Sequence, residues 1–398
     1  MSEGQTALAK RAESQSIPFW HDPSKRAIVY QAVALGVVLT LGYYLFAITQ
    51  ANLQRQHIAT GFSFIGREAG FEIGESMISF SATNTYARAL LVGILNTLEV
   101  AVIGIILTII LGTIVGVARL SSNWLLSRLA AGYIEVLQNI PVLLQLFFWY
   151  SVFHDSLPLP RQSLNPLAGV FLNNRGFYFP IPVPHPAYAR MGIALVIACV
   201  ASYFLSRWSR MRQELTGQTF PVWSASTGMV IALPLIAWVV SGAPTALDTP
   251  HLLGFNFEGG MLVTPEFAAL LLGLVLYTSA FVAEVVRAGI QAISHGQTEA
   301  AMSVGLKPNH VLTLIILPQA LRVIIPPLTS QMLNLTKNSS LAVAIGYPDL
   351  VSVANTTINQ TGQAIEGVAI IMVVYLFFSL VTSAFMNWYN KRKALVER

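Results

Sequence analysis

The chain has 398 residues, of which 54% are hydrophobic and 10% charged, and its mean hydropathy is +0.62. A soluble domain carries about 25% charged residues, so composition excludes an ordinary soluble enzyme or binding module and makes this an integral membrane protein. The net charge of +5 comes from Lys and Arg in pairs and triplets beside apolar runs, without polar aromatics between them, which fits membrane topology and no nucleic acid partner.

In chain order, residues 1–26 are polar, with Lys10, Arg11, Lys25 and Arg26, and no small-residue cleavage pattern follows the next apolar run. They read as a cytoplasmic tail before a retained span rather than a signal peptide. A membrane helix needs roughly 20 mostly apolar residues. Eight stretches qualify: Ala27–Ile48, Ala89–Ala118, Tyr133–Phe153, Met191–Ser206, Gly228–Ser241, Phe267–Val286, Val311–Leu335 and Val368–Trp388. The expected fold class is all-α and polytopic, with about eight transmembrane helices. The fourth and fifth stretches have short apolar cores, so six spans is the alternative.

Between spans, Asn52–Arg88 is a long polar loop with Gly61, Gly66, Gly70 and Gly74, and His154–Arg190 carries Pro180, Pro182, Pro184 and Pro186, which forbid regular helix. Lys and Arg counted on each side test the layout. With eight spans and the N-terminus inside, fifteen of the 23 lie inside, Arg119, Arg128, Arg207, Arg210, Arg212, Arg287 and Lys307 among them. Seven lie outside, and Arg322 falls within a span. The excess places both termini in the cytoplasm, and the polar loops on the outer face.

The one cysteine, Cys199, excludes an intrachain disulfide and a Cys-rich metal site. No cofactor or metal is expected. Neither H-E-x-x-H nor G-x-S-x-G occurs, and no Gly-Lys pair exists to build a P-loop, so the chain holds no ATPase of its own.

An ionisable group at membrane depth is a functional hypothesis by default, because it costs at least about 2.5 kcal/mol at a helix centre. Arg322 is the clearest case: it either faces a translocation path and meets a substrate carboxylate, or pairs with a carboxylate such as Glu99 to hold two helices. Gln145, Thr278, Ser279 and Asn334 are uncharged polar groups that could line a midplane pocket or hydrogen-bond between helices. Glu135 and Glu284 sit near inner span ends beside Arg128 and Arg287, and Glu284 can pair with Arg287 three residues on. Gly112 and Gly116, four apart, read as a close helix contact, and Pro326-Pro327 should kink the seventh span.

The segment Thr298–Pro318 is a polar interruption in this apolar chain. Thr298 reads as an N-cap, Glu299 as the first-turn carboxylate and Gly305 as the stop, giving a helix of under two turns with a slim Ala300-Ala301 face. Lys307-Pro308 breaks it before the next span. Glu299-Ala300-Ala301, three residues, Gly305, nine residues, Ile315, one residue, then Leu317-Pro318 resembles the cytoplasmic EAA loop of permease subunits of bacterial ATP-binding-cassette importers. The stretches Tyr277–Ile290, Leu317–Arg322 with Pro326-Pro327, Asn334–Leu341 and Leu91–Tyr150 are similar to the polar amino acid permease family. The larger eight-span layout, with an added N-terminal span and two more between Tyr150 and Phe267, is similar to the general L-amino-acid permeases. The chain departs from the family at Gln138-Asn139-Ile140-Pro141, where many relatives carry Arg-Gly-Thr-Pro, and at Asn338, where an acidic residue is common.

The resemblance implies a type I importer permease core over residues 89–390, with inserted helices at about 154–266 and the EAA coupling loop at 298–318. An additional transmembrane helix at 27–48 and a periplasmic loop at 49–88 precede it, and a cytoplasmic tail at 391–398 follows. It implies L-amino acid import at the bacterial inner membrane, with ATPase subunits docking on Glu299, Ala300, Ala301, Gly305 and Leu306. It further implies a periplasmic amino-acid-binding protein, a sister permease in a heterodimer, and membrane lipid around the spans. An ion-gradient-driven secondary transporter or channel is the other reading, but neither inverted repeats nor buried acidic relays are visible in the sequence.

Overall fold

The computed structural model describes residues 23–55 and 60–393. Most of the N-terminal tail, residues 1–22 with Lys10 and Arg11, and the end of the C-terminal tail, residues 394–398, lie outside the described residues. The helices in chain order are α1 (Pro23–Arg55), α2 (Tyr86–Arg119), α3 (Trp124–Asn139), α4 (Val142–Asp155), α5 (Pro186–Thr216), α6 (Val222–Val240), α7 (Pro265–Gln291), α8 (His295–Ser303), α9 (Leu317–Asn338), α10 (Leu350–Thr361) and α11 (Ala364–Lys393). Seven of the described helical runs are long and apolar enough to cross a membrane, or eight if α3 and α4 together count as one span. The protein is a mostly helical, polytopic membrane protein.

The described residues divide into two compact units. The smaller comprises those up to Arg67 with Asn355–Ile370. In it α1 keeps Val33, Leu39 and Phe46 exposed, as a helix surrounded by lipid does. After it a 3₁₀ turn, Phe62–Gly66, buries Phe64 completely. Gly61 N–H donates to Glu366 Oε1 at 2.5 Å, and Gln363 Nε2 donates to Gly61 O at 3.0 Å.

The larger unit is built around α2 packed along α7, with α4, α9 and the 3₁₀ segment Ser339–Ile345 completing the core. Val100, Leu146, Leu270, Leu274, Ala342 and Tyr347 form its buried centre. Gly112 and Gly116 allow the approach: a Cβ on Gly112 would stand 2.6 Å from Val282 Cβ, and one on Gly116 2.6 Å from Ala283 O. The third expected span is not one straight helix. α3 and α4 meet at 104°, because Pro141 has no N–H to continue the ladder and holds Ile140 extended (φ −100°, ψ 125°). The seventh span runs from Pro308 to Ile345. It departs from α geometry in a π-helical stretch at Val311–Ile316 and in the 3₁₀ segment at its end, whereas Pro326 and Pro327 both lie inside α9.

The segment between α4 and α7 differs most from expectation. Besides α5 and α6, which pack on each other, it carries eight short strands: β1 (Leu164–Leu167), β2 (Val170–Asn173), β3 (Gly176–Phe179), β4 (Ile181–Pro182), β5 (Leu247–Asp248), β6 (His251–Leu253), β7 (Asn256–Glu258) and β8 (Met261–Val263). β1-β2-β3-β8 form one antiparallel sheet, β4-β5 and β6-β7 two smaller ones. Pairing of Tyr178 with Leu262 and of Ile181 with Asp248 ties the two ends of the insertion together. The proline cluster is therefore not wholly irregular: Pro182 ends β4, and Pro186 opens α5, where a missing N–H costs nothing.

Candidate functional site

The EAA segment lies beyond the C-terminal end of α7, and the four-stranded sheet adjoins the N-terminal end. With 27 residues at 1.5 Å each, α7 separates the two by about 40 Å. The loop helix α8 is longer than expected, nine residues starting at His295. Ser294 takes the N-cap position and Thr298 lies inside the helix, because Ser294 is as good a cap residue and nothing in His295–Gln297 opposes helix. The C-terminal end is a Schellman motif: Gly305 N–H donates to Met302 O at 3.0 Å and Leu306 N–H to Ala301 O at 3.2 Å, with Gly305 at φ +84°. Lys307 is extended before Pro308, which opens the next helix.

Glu299, Ala300 and Gly305 are exposed and Leu306 half-buried. Ala301 is not part of an open alanine face, since it turns inward and is buried. Two large apolar side chains also stand open on this segment: Met302 is 49% and Val304 77% exposed. Sequence reasoning passed over both, although two large apolar residues in a polar loop were the available signal. On the same side of the bundle, Arg287 on α7 pairs with Glu284 as expected, Nε to Oε2 at 3.0 Å and a second contact between Nη2 and Oε1.

Ser279 and Thr278 are buried on α7. Ser279 Oγ donates to Leu276 O at 2.9 Å and is bonded at 2.6 Å to the hydroxyl of Tyr133 on α3. Gln138 Nε2 donates to Ala280 O at 3.2 Å, so Tyr133, which the sequence did not single out, and Gln138, noted there only as a departure from the family, stitch α3 to α7. Gln145 is buried on α4 and turns back on the bend, its Nε2 donating to Leu137 O and Ile140 O at 2.9 Å each. Thr278 Oγ1 and Gln145 Oε1 have no protein partner. Asn334 is exposed on α9 and joins none of these bonds.

Arg322 forms no ion pair with Glu99, and its Nε has no partner. Helix geometry separates it from the polar seam on α7. A Cβ on Gly289 of α7 would collide with Ile324 and approach Ala320 O, so Ala320 and Ile324 face α7, and Arg322, two residues on from Ala320, points away from it.

The far end of the larger unit, by the sheet, holds a second polar group. The Thr264 hydroxyl caps α7, accepting from Phe267 N–H at 3.1 Å and donating to Glu75 Oε2 at 2.6 Å. Asn96 Nδ2 donates to Glu75 O and Pro348 O, both at 2.9 Å. Asp349 Oδ1 accepts from Ser352 N–H at 2.8 Å. Burial pushes the Glu75 carboxyl up to about 7, with repulsion from Glu99 and Glu266 adding to it and the Thr264 bond opposing. Burial likewise raises Asp349 to about 7 against its backbone hydrogen bonds.

Residues 104–395 match the family of binding-protein-dependent transport system inner membrane components. The chain is 52% identical over 379 residues to the general L-amino acid transport system permease protein AapQ of Rhizobium johnstonii, covering 95% of this chain and 94% of that one. It is 49% identical over 378 residues to the putative amino-acid ABC transporter permease protein YhdX of Escherichia coli, covering 95% and 96%. Identity to the glutamate/glutamine/aspartate/asparagine transport system permease protein BztB of Rhodobacter capsulatus is 40% over 410 residues, covering 95% and 96%. With an exposed loop helix, no P-loop and a multi-span bundle, the chain belongs to the binding-protein-dependent transport system inner membrane component family, as the transmembrane permease of an ABC transporter and not its ATPase.

Proposed function

We propose that this permease imports L-amino acids and takes its driving force from separate ATPase subunits that dock on α8. The observation that carries the docking is the exposed, Schellman-capped α8 with Met302 and Val304 uncovered along with Glu299 and Ala300. The chain has no P-loop and belongs to an ABC transporter permease family, which supports reading the occupant of that surface as the subunit that hydrolyses ATP. Ala301 and Leu306 support the helix from beneath, and Gly305 sets its exit. The Lys and Arg excess orients α8 and both termini to the cytoplasm. The opposite end, with the four-stranded sheet, then receives amino acid from a periplasmic binding protein. A sister permease, forming a heterodimer, completes the pore, with Gln145, Thr278 and Ser279 along the path in this subunit and Asn334 on the face of α9 open to the sister chain. The substrate class is supported by the names of permeases similar to this chain, two of which specify amino acids of the L series or acidic and amide ones.

Gly305→Val tests the coupling. The position has open space around a Cβ but φ +84°, which a β-branched residue meets at a strain of about 1–3 kcal/mol. The variant should reach the membrane at the normal level yet lose uptake and substrate-stimulated ATP hydrolysis, while Gly305→Asn, which tolerates left-handed backbone, retains most of both. Unchanged uptake in the valine variant refutes the docking role. Uptake by the intact system that persists without any ATPase and collapses with an uncoupler refutes the importer reading in favour of an ion-driven carrier.

A further inference from the structure

Arg322 lines a cleft of about 330 Å³ with Leu317, Pro318, Leu321 and Ile325 of α9 and Tyr389 of α11. Apart from the guanidinium and the tyrosine hydroxyl the walls are aliphatic. Arg322 Nε is shut off from solvent and has no hydrogen-bond partner, and among the described residues no carboxylate pairs with the guanidinium. A cation in an apolar cleft is expensive unless an anion joins it.

Three observations say which anion. The cleft opens on a face of α9 turned away from α7, and Leu317 and Leu321 on its rim are 41% and 40% exposed, as are Phe385 and Trp388 nearby on α11 at 59% and 49%. This is a surface for acyl chains rather than water. Tyr389 lies one residue before the end of the last apolar span at Asn390, and the sequence continues Lys391-Arg392-Lys393. The cleft is therefore at a membrane boundary beside a basic run, where a tyrosine commonly sits. The span that carries Arg322 has 38 residues, about 57 Å as helix against about 30 Å of hydrocarbon. With Tyr389 at the boundary on the opposite wall of the cleft, the excess falls on the first part of the span, next to α8, and Arg322 stands near headgroup level.

We propose that the Arg322–Tyr389 cleft binds the phosphate of an anionic phospholipid from the leaflet on the α8 side. The guanidinium gives the phosphate paired N–H donors, the Tyr389 hydroxyl adds a third, and the acyl chains lie along Leu317, Leu321 and Ile325. A lipid held there bridges α9, which continues from the coupling loop, to the last span. The cleft thus makes headgroup charge a determinant of how firmly the coupling end of the permease is held.

The assembled transporter, reconstituted in nanodiscs of equal parts phosphatidylglycerol and phosphatidylcholine, is released into a native mass spectrometer and its retained lipid identified. Phosphatidylglycerol should be retained, and R322Q should lower retention about tenfold, as expected for loss of a charge-assisted pair. R322K, which keeps the charge, and Y389F should each fall between. Equal retention in R322Q, or equal retention of phosphatidylcholine, overturns the proposal. Displacement by inorganic phosphate alone marks a free-phosphate site, and displacement by an L-amino acid marks a substrate site; either overturns it. Should R322Q fail to assemble, Tyr389→p-benzoylphenylalanine in otherwise native transporter decides: photocrosslinking to lipid supports the cleft, and crosslinking to a second permease chain refutes it.

Discussion

Gly112 and Gly116 set how near α2 can come to α7. Adding a side chain at Gly112 would drive a Cβ to 2.6 Å from Val282 Cβ and 2.9 Å from Ser279 O, and the backbone oxygen cannot rotate away as a side chain would. Gly112→Val should therefore cost about 1–3 kcal/mol by overpacking and lower the thermal midpoint in detergent by several degrees. Gly132→Ala at an exposed position of α3, with nothing within 4 Å of its Cβ, should be neutral or gain up to about 1 kcal/mol from helix propensity. Size-exclusion after heating measures both, and a valine variant that melts like the parent would contradict the packing. The four-residue spacing of these glycines was legible in the sequence, because it is a property of one helix. Their partner on α7 was not, since a sequence carries no record of which helices face each other. Arg322 shows the same limit: its place within an apolar span was readable, but not that Glu99 lies elsewhere and that an apolar cleft shared with Tyr389 surrounds the guanidinium.

The bend between α3 and α4 belongs to the scale of elements. Pro141 was visible as a break, but the span rule merged the two flanking apolar runs into one helix, because hydropathy has no term for direction. What holds the bend is Gln145, whose single amide nitrogen serves the Leu137 and Ile140 carbonyls left without helical partners. Gln145→Leu strips both, at about 0.5–1.5 kcal/mol for each hydrogen bond lost from these part-buried carbonyls. It should increase proteolysis and amide exchange around 137–145 while α7 stays protected; protection unchanged at the bend would show that Pro141 suffices. The insertion was illegible for a different reason. Its strands are two to four residues long, too short to show alternation, and β3 finds β8 more than eighty residues later. For α8, both Ser294 and Thr298 are good caps, and local preference alone could not choose between them.

At the scale of the whole molecule, the spans and the short helix between α7 and α9 were legible because a bilayer imposes length and polarity on every crossing helix, and because a polar, capped, glycine-ended segment stands out between apolar runs. The buried acidic group at the sheet end of the larger unit was not, since Glu75, Thr264 and Asp349 come from three distant segments. It has a consequence for stability. Glu75 titrates near 4.5 when unfolded and about 7 when folded, and Asp349 near 3.8 and about 7. Below about pH 4 both states hold these protons and the stabilisation is complete. Between the unfolded and folded values only the native state holds them, so stability falls as pH rises through that window and levels off above 7. The purified permease should therefore melt at a lower temperature at pH 8 than at pH 5.5. Glu75→Gln keeps an acceptor for the Thr264 hydroxyl and Asp349→Asn one for Ser352 N–H, so each should remove part of the slope without unfolding the protein, and the double variant should remove most of it. A parent profile that rises from pH 5.5 to 8, or a double variant with the parent's slope, would place the native carboxyls in their ordinary range and the Glu75–Thr264 contact in open water.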